Sequence, residues 1–267
     1  MEHPLAGRTA VVTGVSRGRG IGAAVARRLA ASGADLVVQH HRAHDAEQPW
    51  GADDLADVLA EVRSHLTPGA SLHDIAADLT EPDAPQQMIE QALAVSRPLD
   101  ILVCVHARSG GDGSLAEISA NDLDGHWGAD ARSVLLATKA FAEVYDPARP
   151  GGRVVWMTSG QQKGPMPGEV AYAAAKGALA GVTATVADEL VDRGIILNSV
   201  NPGPVNTGFL DSGQGIDDAT LDSLRQRFPS GRFGTPDDPA RLIGWLVSDE
   251  AEWIVGQVID SEGGFRR

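Results

Sequence analysis

A tyrosine and a lysine stand four positions apart in the segment Tyr172-Ala173-Ala174-Ala175-Lys176. On a helix this spacing places both side chains on one face, a turn apart. An unperturbed phenol titrates near ~10, outside the range useful for acid–base work at neutral pH. A neighbouring ammonium group favours the phenolate and brings the proton within reach of chemistry. The chain has 2 tyrosines, and its lysines are Lys139, Lys163 and Lys176, so the pairing is rare by chance. It predicts a proton-transfer site on a helix.

A second cluster suits phosphate. The run Thr13-Gly14-Val15-Ser16-Arg17-Gly18-Arg19-Gly20-Ile21-Gly22 follows an apolar strand and leads into a helix with Ile21, Val25 and Leu29 on one face. Glycines let the backbone turn tightly and approach a pyrophosphate held at the helix N-terminus. A glycine-rich turn alone is a weak signal, but the flanking strand and amphipathic helix supply the context it needs.

Together these motifs resemble the short-chain dehydrogenase/reductase family, whose glycine turn reads TGxxxGxG, and within it the bacterial oxoacyl-carrier-protein-reductase-like members. The resemblance runs nearly end to end, closing with Gly231-Arg232-Phe233-Gly234-Thr235-Pro236. Literal matching assigns Thr13, Gly14, Gly18 and Gly20. Matching the family's Gly-Ile-Gly at the helix start assigns Gly20, Ile21 and Gly22 and leaves a longer loop. The second register is preferred because it buries Ile21.

The resemblance implies hydride transfer between nicotinamide and a ketone, aldehyde or alcohol carbon, with Tyr172 giving or taking the hydroxyl proton. It implies that Ser159, in Met157-Thr158-Ser159-Gly160, holds the substrate oxygen, where a donor stabilises developing charge. Asp78 and Leu79 fall where the family places an acid beside the adenine, although Asp78 also reads as a helix N-terminal acid. Pro202, Gly203, Val205 and Thr207 match the family's Pro-Gly segment around the carboxamide and phosphates; without a ligand they read as a plain turn.

Charge decides the expected cofactor. An NAD enzyme holds the ribose 2′-hydroxyl with an acid after strand two, whereas a 2′-phosphate needs cations. Strand two ends Gln39-His40-His41-Arg42, with no acid before Asp45, and Arg17 and Arg19 stand in the glycine turn. Arginine forks suit phosphate. NADP(H) is therefore expected in preference to NAD(H), which remains possible, with Ser16, Arg17, His40, His41 and Arg42 as binding candidates. His40, His41 and His44 lack a metal-ligand spacing, and no metal is expected.

The elements that must position these residues alternate. Candidate strands are Thr9–Thr13, Asp35–Gln39, Leu72–Ala76, Leu99–Val105, Arg153–Thr158, Ile195–Val200 and Gln257–Asp260. Candidate helices are Ile21–Ser32, Asp53–Leu66, Pro85–Ser96, Asp122–Val144, Ala171–Arg193 and Asp237–Ser248. Continuous Val/Ile/Leu strands between helices predict an α/β fold: a single-domain doubly wound, Rossmann-type parallel sheet of about seven strands, helices on both faces. The stretches His40–Ala52 and Pro202–Gly231 read as loops beyond the carboxyl ends of strands, the latter carrying the short helical segment Asp217–Phe228 and the substrate side. Gln161, Met166 and Phe209 are the substrate-lining candidates.

A net charge of -14 argues against nucleic acid or an anionic membrane as partner. No apolar run reaches the ~18–20 residues of a membrane span and no signal peptide is evident, so the cytoplasm is the expected location. Cys104 stands alone in an apolar run and reads as core. Family members pair through the helices matching Asp122–Val144 and Ala171–Arg193, which implies a homotetramer or homodimer.

Two departures from the family stand out. Its Asn-Asn-Ala-Gly after strand four is here Cys104-Val105-His106-Ala107, and its helix-four asparagine falls on Asp130. An ionised Asp130 would raise the pKa of both Lys176 and Tyr172. That predicts slowed turnover, relieved by Asp130→Asn. These departures also motivate an alternative: an impaired, cofactor-binding member with a structural or regulatory role.

Overall fold

Successive residues of a strand face opposite sides of a sheet, so a strand apolar at every position must be covered on both. That is how the central strands are used. Ala10, Val12, Leu36, Val38, Ile101, Val103 and Val155 join one buried cluster, while Val11, Val37, Leu102, Cys104, Val154 and Trp156 join another. The computed structural model describes residues 3–96, 98–213 and 216–267.

Its strands are β1 (Thr9–Val12), β2 (Asp35–His40), β3 (Leu72–Ala76), β4 (Ile101–Cys104), β5 (Gly152–Met157), β6 (Ile195–Asn201) and β7 (Val258–Asp260). They form a 7-stranded sheet in the order β3-β2-β1-β4-β5-β6-β7, with every pair parallel. The expected doubly wound sheet is present. Its order reverses between β1 and β4, and a ligand crevice opens beyond the carboxyl ends there.

The helices are α1 (Ile21–Ala31), α2 (Arg42–Ala46), α3 (Leu55–Ser64), α4 (Ala84–Val95), α5 (Ala120–His126), α6 (Ser133–Val144), α7 (Val170–Val191), α8 (Asp218–Gln226) and α9 (Asp237–Leu246). Residues of α1, α3 and α9 build the first apolar cluster; α4, α6 and α7 build the second. On that second side Trp156 is fully buried and donates its indole N–H to Thr138 Oγ1 at 2.9 Å.

Three differences from the sequence expectations have physical causes. The stretch read as loop after β2 contains α2, too short to show a periodic pattern; long-range contacts hold it, including Ser109 N–H to His44 Nε2 at 3.1 Å. The long fourth helix is continuous from α5 to α6 but passes through a π-helical turn, Trp127–Arg132. That wider turn contains the buried Asp130. Lastly, α7 is long and apolar enough on average, at a mean hydropathy of 1.3, to cross a membrane by length and composition. Alanine, valine and leucine give it that average, although Tyr172 and Lys176 interrupt any purely apolar run. Within this fold it packs against the sheet and α6 side of the core.

Candidate active site

The glycine turn is shaped by what cannot fit in it. Gly14 has φ +73°, and a Cβ there would lie 2.8 Å from the His106 backbone. A Cβ on Gly22 would lie 2.2 Å from the Gly14 carbonyl oxygen. The first turn of α1 is thus pressed against the end of β1. The helix begins at Ile21, which packs against the apolar cluster, in keeping with the Gly20-Ile21-Gly22 register. Gly18 instead belongs to the longer loop: its N–H donates to Asp53 Oδ2 at 2.8 Å, and its carbonyl accepts from Arg27 at 3.0 Å.

Beyond this turn lies a cavity of ≈ 440 Å³. Gly14, Ser16, Arg17, Gly20 and Ile21 line one wall, while His41, Asp78, Leu79 and Thr207 complete it. The first turn of α1 carries no acidic side chain. A cradle closed to any Cβ, at the N-terminus of a helix, fits a dinucleotide pyrophosphate. Among the described residues no cluster of His, Cys, Asp and Glu has the arrangement to hold a metal ion.

The cationic candidates separate. Arg17 reaches the Thr207 carbonyl at 2.8 Å and lies over the Trp50 ring at 5.2 Å. Arg19 is exposed and bound to Asp211 at 2.7 Å. His41 lines the cavity, 3.6 Å from the Asp78 carboxylate. His40 does not: it is buried toward Asp74, at 3.3 Å. Arg42 is exposed at the start of α2 and is likewise outside the lining. Asp45 lines the same cavity and is buried. Asp78 accepts from the Thr80 hydroxyl and N–H at 2.7 and 2.9 Å. Burial works against its ionisation, but those bonds and His41 hold it below the usual carboxylate range.

The Pro-Gly segment divides in the same way. Gly203 has φ +64°, and a Cβ there would press on Glu262 at 2.9 Å. Val205 is buried and pairs with Gly234 in an isolated bridge. Pro202 faces a smaller cavity away from the glycine turn. Thr207 alone of the four lines the main cavity. Phe209 meets Trp50 at 6.4 Å between ring centroids, which joins the segment after β6 to the polar stretch after β2. Gln161 is partly buried with both amide atoms unpartnered among the described residues, and Met166 is partly buried.

Tyr172 and Lys176 occupy the opening turns of α7. Glu169, at the helix N-cap, provides no side-chain cap. Asp112 from the segment after β4 takes that place, accepting from the N–H groups of Ala171 at 2.9 Å and Tyr172 at 2.8 Å. Lys176 is 1% exposed, donates to the Met157 carbonyl at 3.1 Å and lies 5.8 Å from the Tyr172 ring centroid. Ser159, two residues past the end of β5, is in extended conformation, and its hydroxyl is near enough to Tyr172 to act on the phenol's ionisation. The structure therefore brings Ser159, Tyr172 and Lys176 together.

Their ionisation differs from the sequence expectation. Burial, then Asp130, push the Tyr172 phenol well above its ordinary value, and the nearby Ser159 hydroxyl only partly offsets them. Burial likewise lowers Lys176, against the pull of Asp130. Desolvation outweighs the ammonium's help to the phenolate in this geometry.

Neither departure from the family leaves a broken contact. His106 is pushed down to about 4, chiefly by burial and next by Lys176, so its ring is neutral. Its Nδ1 lies 2.6 Å from Thr13 Oγ1 and its Nε2 2.7 Å from Ser133 Oγ. Ser133 donates to the Ala129 carbonyl at 2.5 Å, so it accepts from His106 Nε2–H, and Thr13 donates to Nδ1. The end of β1 is thereby tied to α6. His106→Ala should lower stability by about 3 kcal/mol, because two buried hydroxyls lose a partner and a void opens. Adding Ser133→Ala should recover about 1 kcal/mol of that. Urea unfolding of the single and double variants measures both; strict additivity would refute the coupling.

Sequence reading missed His126, Asp112 and Ser133, and gave Thr13 no role beyond the glycine turn. His126 was findable, since His126 and Asp130 repeat the i, i+4 spacing that revealed Tyr172 and Lys176. The other contacts span distant segments and leave no local signal.

A family model described as enoyl-(acyl carrier protein) reductase matches residues 14–266. The chain belongs to the short-chain dehydrogenase/reductase family. It is similar to the uncharacterized oxidoreductase YjdA of Bacillus subtilis strain 168, 37% identical over 261 residues covering 97% of both chains. It is 34% identical to the NADPH-dependent aldehyde reductase-like chloroplastic protein of Arabidopsis thaliana, over 98% of this chain and 95% of that one. A solved structure of a 3-oxoacyl (acyl-carrier-protein) reductase from Agrobacterium tumefaciens C58 with NADP bound superposes with a TM-score of 0.83 at 29% identity, covering 98% of this chain and 95% of its own. As a short-chain dehydrogenase/reductase, the chain is an oxidoreductase working with a nicotinamide dinucleotide.

Proposed function

We propose that the protein is an NADP(H)-preferring carbonyl reductase in which Tyr172 is the general acid. The carrying observation is the meeting of Tyr172, Lys176 and Ser159 at the end of β5 and the start of α7. When bound, the dinucleotide supplies a hydride. Ser159 holds the carbonyl oxygen, Tyr172 delivers a proton to it, and Lys176 stabilises the phenolate left behind. Burial of the phenol keeps it protonated before reaction. Gly14, Gly20 and Ile21 seat the pyrophosphate, and Thr207 borders it. Gln161 and Met166 face the substrate, with Phe209 at its outer edge. The hydrogen bonding of His106 and Asp130 weighs against the impaired-member reading.

Decline of NADPH absorbance over a panel of ketones and aldehydes tests the activity. No consumption with any carbonyl, while the cofactor still binds, would overturn it.

The preference for NADP(H) rests on Arg17, on His41 and on the absence of a carboxylate at the end of β2. The Arabidopsis relative's NADPH-dependent name and the NADP-bound neighbour support it. Expected kcat/KM with NADPH exceeds that with NADH by at least about tenfold, and Arg17→Ala should erase most of that ratio, since it removes a cation that would hold the 2′-phosphate. A native preference for NADH would refute this assignment.

The protein is further read as one domain, cytoplasmic, and a homotetramer or homodimer. Exposed small residues on α7, Ala174, Gly181 and Ala184, allow close approach of another helix. Light scattering on the eluting protein reads the assembly directly.

A further inference from the structure

Asp130 is not a lone carboxylate. Its Oδ2 lies 2.7 Å from His126 Nδ1, and its Oδ1 accepts from Arg108 N–H at 2.8 Å while facing Lys176 Nζ at 3.9 Å. His126 is 1% exposed. Its other nitrogen, Nε2, lies 3.1 Å from the Gly110 carbonyl oxygen and 3.9 Å from Asp112 Oδ2. A carboxylate and a carbonyl only accept, so satisfying both requires a proton on each ring nitrogen. The alternative puts one of those protons on Asp130. In either form the pair carries a single shared proton and no net charge.

That pair sits behind the acid–base residues. The His126 ring meets the Tyr172 ring edge-on, 5.8 Å between centroids. We propose that His126 is a positioning residue for carbonyl reduction: its proton cancels the charge of Asp130 on Lys176 and Tyr172 and keeps Tyr172 an effective acid. This rests on the reading of Tyr172 and Lys176 as the acid–base pair.

Other charged groups surround the pair without replacing it. Asp122 shares the helix of His126; Arg108 and Asp112 approach from the segment after β4; Glu169, Tyr172 and Lys176 approach from the start of α7. Cys104, pushed up to about 12 by burial, and neutral His106 bring no charge to Lys176. Burial disfavours the imidazolium, but Asp130, Asp112 and the Gly110 carbonyl together raise His126 above its ordinary value. The cancellation is therefore complete at low pH and is lost as pH rises through that raised pKa. Above it, His126 no longer offsets the charge of Asp130, Tyr172 is a weaker acid, and proton delivery slows.

The test compares single-turnover NADPH oxidation by wild type and His126→Gln from pH 5 to 9, together with histidine NMR titrations. The wild-type to variant rate ratio should be about tenfold at low pH, as expected for about one unit of phenol pKa, and fall to one along a single-proton curve. Its midpoint should match the NMR pKa of His126. In the Asp130→Asn background the same substitution should give a flat ratio. A purely structural role gives a ratio independent of pH and overturns the proposal.

Coupling to the active site is also read without turnover, which keeps the question decidable if His126→Gln does not fold. Linkage is reciprocal, so Lys176→Met should raise the His126 pKa, and Asp130→Asn should lower it by about one unit. An unmoved His126 titration in Lys176→Met overturns the proposal. If that titration moves but wild type reduces no carbonyl, the catalytic reading falls and the coupling stands. If carbonyls are reduced but the ratio is flat, the coupling falls and the catalytic reading stands.

Discussion

Tyr172→Phe is expected to lower kcat/KM for carbonyl reduction by about 10³-fold, the usual scale for losing a positioned general acid. Binding of NADPH should change little. The substitution keeps the ring that lies against His126 and Lys176 and removes the hydroxyl whose ionisation Ser159 influences. Packing is preserved, so the loss falls on the chemical step and appears in kcat. Ser159→Ala should cost less, about 10²-fold, because it removes a donor to the developing oxyanion and leaves the proton source in place. Steady-state kinetics beside fluorescence titration of NADPH separates these effects. Retention of more than a tenth of wild-type kcat/KM in Tyr172→Phe would show that another group delivers the proton.

The second large effect belongs to Gly22→Ala. Its new methyl would lie 2.2 Å from the Gly14 carbonyl oxygen, a backbone atom that cannot swing aside. The first turn of α1 must then move by about 1 Å, and misplacement on that scale costs about 10²-fold where groups must be aligned. The result should be a Kd for NADPH about 100-fold higher, together with about 1–3 kcal/mol of lost stability from overpacking. By contrast, Gly168→Ala is a control for the steric argument. That glycine has φ +83°, but a methyl group there would meet nothing within 4 Å, so backbone strain alone should act and cofactor affinity should hold. Equal loss of affinity in both variants would refute the role assigned to the close approach at Gly22.

The sheet was legible because its determinants are local. Val11-Val12, Val37-Val38 and Leu102-Val103 announce strands buried on both faces, and their alternation with helices leaves few topologies. Tyr172 and Lys176 were legible for a related reason, since one helix fixes their relation. The charge state of that pair was not, because it depends on burial and on Asp130, which arrives from another helix. The two histidines expected to face phosphate show the same limit: His40 and His41 are adjacent in sequence, yet at the end of β2 one points toward Asp74 and the other into the cavity. Composition after β2 could name the cations but not aim them. Likewise α2 is held by a contact from Ser109 and by burial of its own Asp45, neither of which a pattern within five residues reveals.

The tie from Thr13 through His106 to Ser133 bears on which sequences are reachable from this one. Alanine, the residue the family pattern places at 106, is not a neutral step here, since it takes one partner from each of two core hydroxyls and opens a void. Removing the Ser133 hydroxyl first strands the His106 N–H instead. Each single change passes through a less stable protein, and the two make sense only as a pair. A library that samples positions 106 and 133 independently would discard both, whereas one that varies them jointly would retain the exchange.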